Sequence, residues 1–164
     1  MTKILHLSSS VDWQNSTSRE IGRYLIEQLK AAHPDIHVTH RDLANDTPPH
    51  IGPDFFNALP TSTAEALAIS RELVAELLEA DRLVIEAPMY NFTIPSTLKA
   101  WIDHIVRYDL TVKISEQGRE GLLSNVRLSS CSAAEESIPM ALRDRWITRN
   151  RICAPSSDLS GSPM

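Results

Sequence analysis

The sequence predicts an α/β fold: a doubly wound parallel sheet with helices on both faces. Three observations carry that prediction. Short apolar segments of strand type alternate with amphipathic segments of helical period, in the order strand, helix, strand, helix, strand, helix. The loop after the first strand is dense in hydroxyls, and the loop after the third is aromatic and bounded by prolines. In a parallel sheet with crossover helices, both loops fall at the carboxyl edge, where open α/β sheets bind their ligands.

The bulk properties are those of one globular domain, since 164 residues are enough to bury a sizeable core. A formal charge of -5 and a pI near 5.6 argue against a nucleic-acid surface, which needs a basic patch. No apolar run reaches the length of a membrane span, and the start MTKILHLSSS has no extended apolar h-region, so a cytoplasmic location is expected. Cys131 and Cys153 fit neither a CxxC pair nor a zinc framework and read as reduced thiols.

Lys3 to Ser9 is the first predicted strand, with Ile4, Leu5 and Leu7 apolar. It leads into the hydroxyl loop: Ser8, Ser9, Ser10, then Asn15, Ser16, Thr17 and Ser18. Ile21, Leu25, Ile26 and Leu29 recur at helical spacing, and Ser16 or Ser18 suits the N-cap. Strand, hydroxyl loop and helix start together make an anion site, with a phosphate as the natural guest. The alternative is that these serines only cap a helix and fill a loop. Neither GxxxxGK[ST] nor GxGxxG occurs, so hydroxyls and amides would have to hold the anion without a lysine or a glycine cradle. That favours a monophosphate over a nucleoside triphosphate.

Ile36 to Arg41 is the second predicted strand. His37 and His40 are three apart on it and point to opposite faces, which argues against a metal pair. Ala44 to Pro60, with four prolines and Gly52, reads as a loop wrapping the surface. Thr63 to Glu79 reads as a helix capped by Thr61, Ser62 or Thr63, with Leu67, Ser70, Leu73, Val74, Leu77 and Leu78 on one side.

Arg82 to Asp103 is the most informative stretch. Leu83, Val84 and Ile85 make the third strand, and Pro88 ends it. Met89, Tyr90, Asn91 and Phe92 form the turn, and Pro95 stands at the start of a helix carrying Leu98, Ile102, Ile105 and Val106.

At APMYNFTIPSTLKAWID the chain resembles the flavodoxin-like family of FMN-dependent NADH azoreductases and quinone reductases. The likeness covers about residues 3 to 125, including KILHLSSS, the hydroxyl loop at Ser16 to Ser18 and the segment TVKISEQGREGLL. It implies a flavodoxin-like, three-layer α/β/α sheet of order 2-1-3-4-5. It also implies one FMN per subunit, with the phosphate and nearby ribityl chain held by Ser10, Ser16, Thr17 and Ser18. Met89, Tyr90, Asn91 and Phe92 would line the isoalloxazine ring. Thr17 stands where a Gln is common in relatives. The implied activity is NADH:quinone oxidoreduction with reductive cleavage of aromatic azo compounds to amines, hydride passing from NADH to FMN to acceptor in a ping-pong cycle. No catalytic side chain and no metal is required, and a homodimer is implied.

After Asn125 the pattern changes. Val126 to Met164 holds 8 Ser in 39 residues and 5 basic against 4 acidic residues, whereas residues 1 to 125 hold 11 against 17. Strands four and five are expected to be missing. Permitted codons for Ser129 to Glu136, read one base out of frame, give IVLSRGG, a strand and loop of family type; further on, Met140-Ala141 must give Gly and Trp146-Ile147 must give Asp. A flavodoxin-like domain over residues 1–127 and an out-of-frame, poorly ordered tail over 128–164 are therefore expected. The alternative is a non-catalytic remnant with weak or no FMN binding.

Overall fold

The computed structural model describes residues 1–61, 65–108, 110–116, 118–123 and 126–131. Its main sheet is built from β1 (Lys3–Ser8), β2 (His37–Asp42), β3 (Arg82–Glu86) and β6 (Arg127–Cys131), all parallel, in the order β2-β1-β3-β6. Successive side chains point to opposite faces, so this register sorts the core into two halves. Leu5, Leu7 and Leu83 meet Leu73 and Leu77 of α3 (Ala68–Glu79) and Leu98 and Trp101 of α4 (Ser96–Ile105). Ile4 and Val84 meet Ile26 of α1 (Thr17–Ala32) on the other face. These helices complete the expected three layers.

The α1 boundary follows the sequence closely. Ser16 is the N-cap, its hydroxyl accepting from the Arg19 amide at 3.3 Å, and Glu20 lies in the first turn where the helix dipole favours it. α4 begins one residue after Pro95, whose fixed φ suits a helix start.

Four expectations are corrected. The Pro-rich segment is not all loop: Pro53–Ala58 forms a short helix, α2, with Pro53 in its first turn, where a missing amide proton costs nothing. Phe55 buries its ring edge-on against His104, whose Nε2 donates to the Pro49 carbonyl at 2.8 Å, so the segment docks onto α4. Helix α3 starts at Ala68 after a 3₁₀ turn over Glu65–Leu67, later than expected, and its N-cap Leu67 makes no side-chain cap; of the expected caps, Ser62 and Thr63 lie outside the described residues. Leu78 and Val106, assigned to apolar faces, are more than half exposed.

The fourth correction concerns the sheet. A fourth strand is present: β6 pairs with β3 from Arg82↔Arg127 to Glu86↔Cys131. It lacks apolar alternation, but main-chain groups along the open side of β3 need partners whatever side chains the pairing strand carries. The Arg127 amide opens the ladder by donating to the Asp81 carbonyl at 3.0 Å. β3 is therefore paired on both sides. The expected absence of a fifth strand, and the remainder of the expected tail, lie outside the described residues. Between α4 and β6, β4 (Val112–Ser115) and β5 (Gly118–Gly121) form an antiparallel ribbon.

Candidate flavin site

The hydroxyl loop and the aromatic loop meet at the carboxyl edge. Ser10 is buried; its hydroxyl lies 3.1 Å from the Tyr90 hydroxyl and accepts from the Asp12 amide at 3.2 Å. Tyr90 also accepts from the Val11 amide at 3.0 Å. One phenol thus ties the two loops into a single wall.

Each loop has its own fold. Asp12 accepts from the Gln14 and Asn15 amides, both at 2.9 Å, and these two amides hold its carboxyl below the usual range. Ser16 and Ser18 place their hydroxyls 3.0 Å apart, with Ser18 buried and Thr17 exposed. The Thr17 and Ser18 amides open the helix and have no hydrogen-bond partner among the described residues, the arrangement that receives an anion. Across the site, Tyr90 and Thr93 exchange main-chain hydrogen bonds of 2.9 and 3.0 Å, closing a turn with Asn91 at φ 49° and Phe92 at φ 64°. Asn tolerates this left-handed region, but Phe does so at a cost of about 1 kcal/mol. Phe92 is 74% exposed and Met89 half-buried.

Of the eight residues expected at the site, Ser10, Ser16, Met89, Tyr90, Asn91 and Phe92 lie on these two loops, and Thr17 and Ser18 open α1. Ser10 and Tyr90 are spent on each other, and Ser16 on its cap. The open donors are the helix-start amides, and the open aromatic surfaces are Phe92 on one loop and Trp13 on the other.

Sequence reasoning missed the layer beneath. Arg19 donates twice to the Ser10 carbonyl, at 2.6 and 3.2 Å, and forks onto Asp42 at 2.7 and 2.9 Å. Burial alone would raise Asp42, but Arg19 and the Ala44 amide overcome it and hold the carboxyl below its ordinary value. Arg19 also lies 4.5 Å from the centroid of the Trp13 ring. Glu86, 1% exposed, grips the loop's start: its carboxylate accepts from Ser8 Oγ at 2.6 Å, and its carbonyl accepts the Ser9 hydroxyl at 2.7 Å and amide at 3.2 Å. Its other carboxylate oxygen is 2.6 Å from His6 Nε2. His40, whose ring centroid is 4.8 Å from that of His6, places Nε2 2.9 Å from Ser8 Oγ. Gly22 of α1 leaves the room for Glu86. The visible signal was an acid closing an otherwise apolar strand, RLVIE, beside histidines on two neighbouring strands.

This sheet order, with paired loops at the ends of β1 and β3, defines a flavodoxin-like α/β protein. The profile of the flavodoxin-like fold family matches residues 2–139, and the chain belongs to that family. Among curated relatives, an FMN-dependent NADH:quinone oxidoreductase of Francisella philomiragia is 46% identical over 125 residues, 76% of this chain and 64% of its own length. One of the same description from Azotobacter vinelandii is 46% identical over 134 residues, 77% of this chain and 67% of its own. The chain thus spans about two thirds of the length of these relatives. Among solved structures, the fold is shared with an azoreductase of Bacillus anthracis strain Sterne at TM-score 0.75 and 24% identity, covering 91% of this chain and 79% of that one. An FMN-dependent NADH-azoreductase of the Ames Ancestor strain, in complex with FMN, gives TM-score 0.72 at 23% identity, covering 88% and 75%.

Proposed function

We propose that the chain is an FMN-dependent NADH:quinone oxidoreductase that also cleaves aromatic azo compounds to amines. The observation that supports the reading is the Tyr90 junction, which ties the hydroxyl loop at Ser10 and Val11 to the exposed, strained aromatic turn. The donor set suits a monophosphate: the Thr17 and Ser18 amides and the hydroxyls of Ser16, Thr17 and Ser18 would hold it, with Ser10 shaping the loop from below. Phe92 would give the ring apolar area, Met89 would back it, and Asn91 and the turn's main chain would offer polar groups at its edge. The bound flavin would supply the hydride chemistry, accepting from NADH and delivering to the acceptor, so the chain needs no acid or nucleophile of its own. Its residues would bind, orient and exclude water.

A homodimer is part of this reading. Val106, Tyr108, Leu110, Ile114 and Leu122 follow α4 and flank the ribbon with large apolar surface in water, which supports a second copy as their cover. The cellular location proposed is the cytoplasm; among the described residues no helix is long and apolar enough to cross a membrane. The test is purification in the presence of FMN followed by NADH oxidation with a soluble quinone and with an azo dye. Flavin-dependent turnover of the quinone is expected. A colourless protein inert to both acceptors would refute the reading.

We also propose that the coding frame changes near Leu128, leaving residues 128–164 as an aberrant tail. In support, β6 carries Ser129, Ser130 and Cys131, where a parallel strand beside β3 would favour β-branched and apolar residues, and the shifted frame supplies Ile, Val and Leu there. Resequencing the gene across that point tests it; one intact frame encoding this tail would overturn it.

A further inference from the structure

Beneath the hydroxyl loop lies a chain of hydrogen bonds that the flavin chemistry does not use. Ser8 Oγ donates to one oxygen of Glu86 and, with its proton so committed, accepts from His40 Nε2. The other Glu86 oxygen receives His6 Nε2. Register explains the meeting: His6 faces His40, and Ser8 faces both Asp42 and Glu86, so all five side chains share the α1 face of three adjacent strands. His6 and Glu86 are buried, while His40 stands on the outer strand β2 in contact with water.

The charges here are unfavourable for an anion. With both imidazoles neutral, the fixed charges on this face are the Arg19 cation and the carboxylates of Asp42 and Glu86, and Arg19 is already forked onto Asp42. Asp12 in the loop and Glu20 in the first turn of α1 add exposed negative charge. A phosphate at the Thr17 and Ser18 amides would therefore enter a net negative neighbourhood, with no lysine in the loop to balance it. One proton on the imidazole pair balances the buried set of Arg19, Asp42 and Glu86 and lessens the deficit around the loop.

We propose that the cluster of His40, Ser8, Glu86 and His6 is a proton-linked counter-charge for the phosphate loop, so that binding a phosphomonoester there takes up a proton from solvent. Glu86 acts as a positioning residue, fixing Ser8 and Ser9 while its carboxylate shares the imidazolium charge. His40 is the entry point. In the free protein, burial first and the neighbouring His6 second push His40 below its ordinary value, so it stands neutral near pH 7 and ready to take the proton. The sign follows from linkage. A group whose pKa rises on binding favours the complex at low pH, and the gain is lost as pH climbs through the bound-state value.

This inference rests on the flavin reading, and the test separates the two. FMN and riboflavin, which differ by the phosphate, are titrated into the full chain by calorimetry near pH 7 in two buffers of different ionisation heat. Uptake of about half a proton or more per FMN is expected, with about none for riboflavin. The FMN dissociation constant should rise roughly tenfold from pH 6.5 to 8, within the limit of about thirtyfold for one fully linked proton over that range, while that of riboflavin changes less than about twofold. Glu86→Gln, which keeps the acceptor for Ser8 but removes the charge, should flatten the FMN profile; a merely structural role would shift both flavins alike. Equal profiles for the two flavins, or FMN binding without proton uptake, would overturn the inference and leave the cofactor reading standing. If neither flavin binds, both fall.

Discussion

Gly22→Ala is expected to destabilise the protein, although helix propensity alone predicts the reverse. Gly22 lies inside α1, where alanine gains about 1 kcal/mol over glycine. A Cβ added there would stand 2.0 Å from Glu86 Oε1, 2.4 Å from its Cγ and 2.5 Å from its Cδ. Glu86 has nowhere to go, being buried with its carboxylate fixed by Ser8 and His6 at 2.6 Å each. Displacing it strains or breaks two hydrogen bonds to a charged group, at about 1.5–3 kcal/mol each. Overpacking adds about 1–3 kcal/mol where the backbone shifts instead. Relaxation will relieve part of this, so the net loss is about 3 kcal/mol, or roughly 6–12 °C in Tm for a domain of this size. Urea melts of the wild type, Gly22→Ala, Glu86→Ala and the double variant measure it. In the Glu86→Ala background the space is free, and Gly22→Ala should become neutral or stabilising, a coupling of about 2 kcal/mol or more. If Gly22→Ala alone matches or exceeds the wild type, the packing of Glu86 against α1 described above is wrong.

Further predictions concern the loops and their pH dependence. Phe92→Gly removes the left-handed strain and should stabilise the free protein by about 0.5–1 kcal/mol while weakening FMN binding, read by melts and by flavin fluorescence titration. Tyr90→Phe deletes the hydroxyl that joins Ser10 to Val11 and should cost about 1–2 kcal/mol, with a larger loss of FMN affinity than of secondary structure by circular dichroism. Asp42 has its carboxyl depressed in the fold, so its stabilisation is complete above the unfolded value of 3.8 and is lost as pH falls through the folded value. Acid melts should show that step in the wild type and a smaller one in Arg19→Met. His40 has a dependence of the same sign in a higher pH range. Because the fold disfavours its protonated form, free-protein stability should decline as pH drops below 6.5, and His40→Gln should lessen the decline.

The architecture was legible where period and punctuation agreed. Ser16 or Ser18 ahead of an amphipathic run located the start of α1, with Ser16 proving to be the cap, and Pro95 located the start of α4. It was obscured where two signals competed in one segment. In 44–60 the density of prolines, read as loop, concealed that Pro53 is in the one helical position that suits it. In β6 the serines concealed a strand whose existence depends on the open edge of β3, a tertiary cause that no local window contains. The two loops of the candidate site could be read from residue types. The layer beneath could not, because Glu86, His6, Ser8 and His40 come from three strands and meet only through the parallel register.

The central claim is that the loops after β1 and β3 form one flavin site with its phosphate end at the start of α1. Fluorescence titration of the purified chain with FMN, followed by NADH addition, tests it directly. One FMN per chain is expected, bound more tightly than riboflavin at pH 6.5, with its yellow absorbance bleached by NADH and restored by quinone. FMN fluorescence left unquenched by the chain, or binding insensitive to the phosphate, would contradict it.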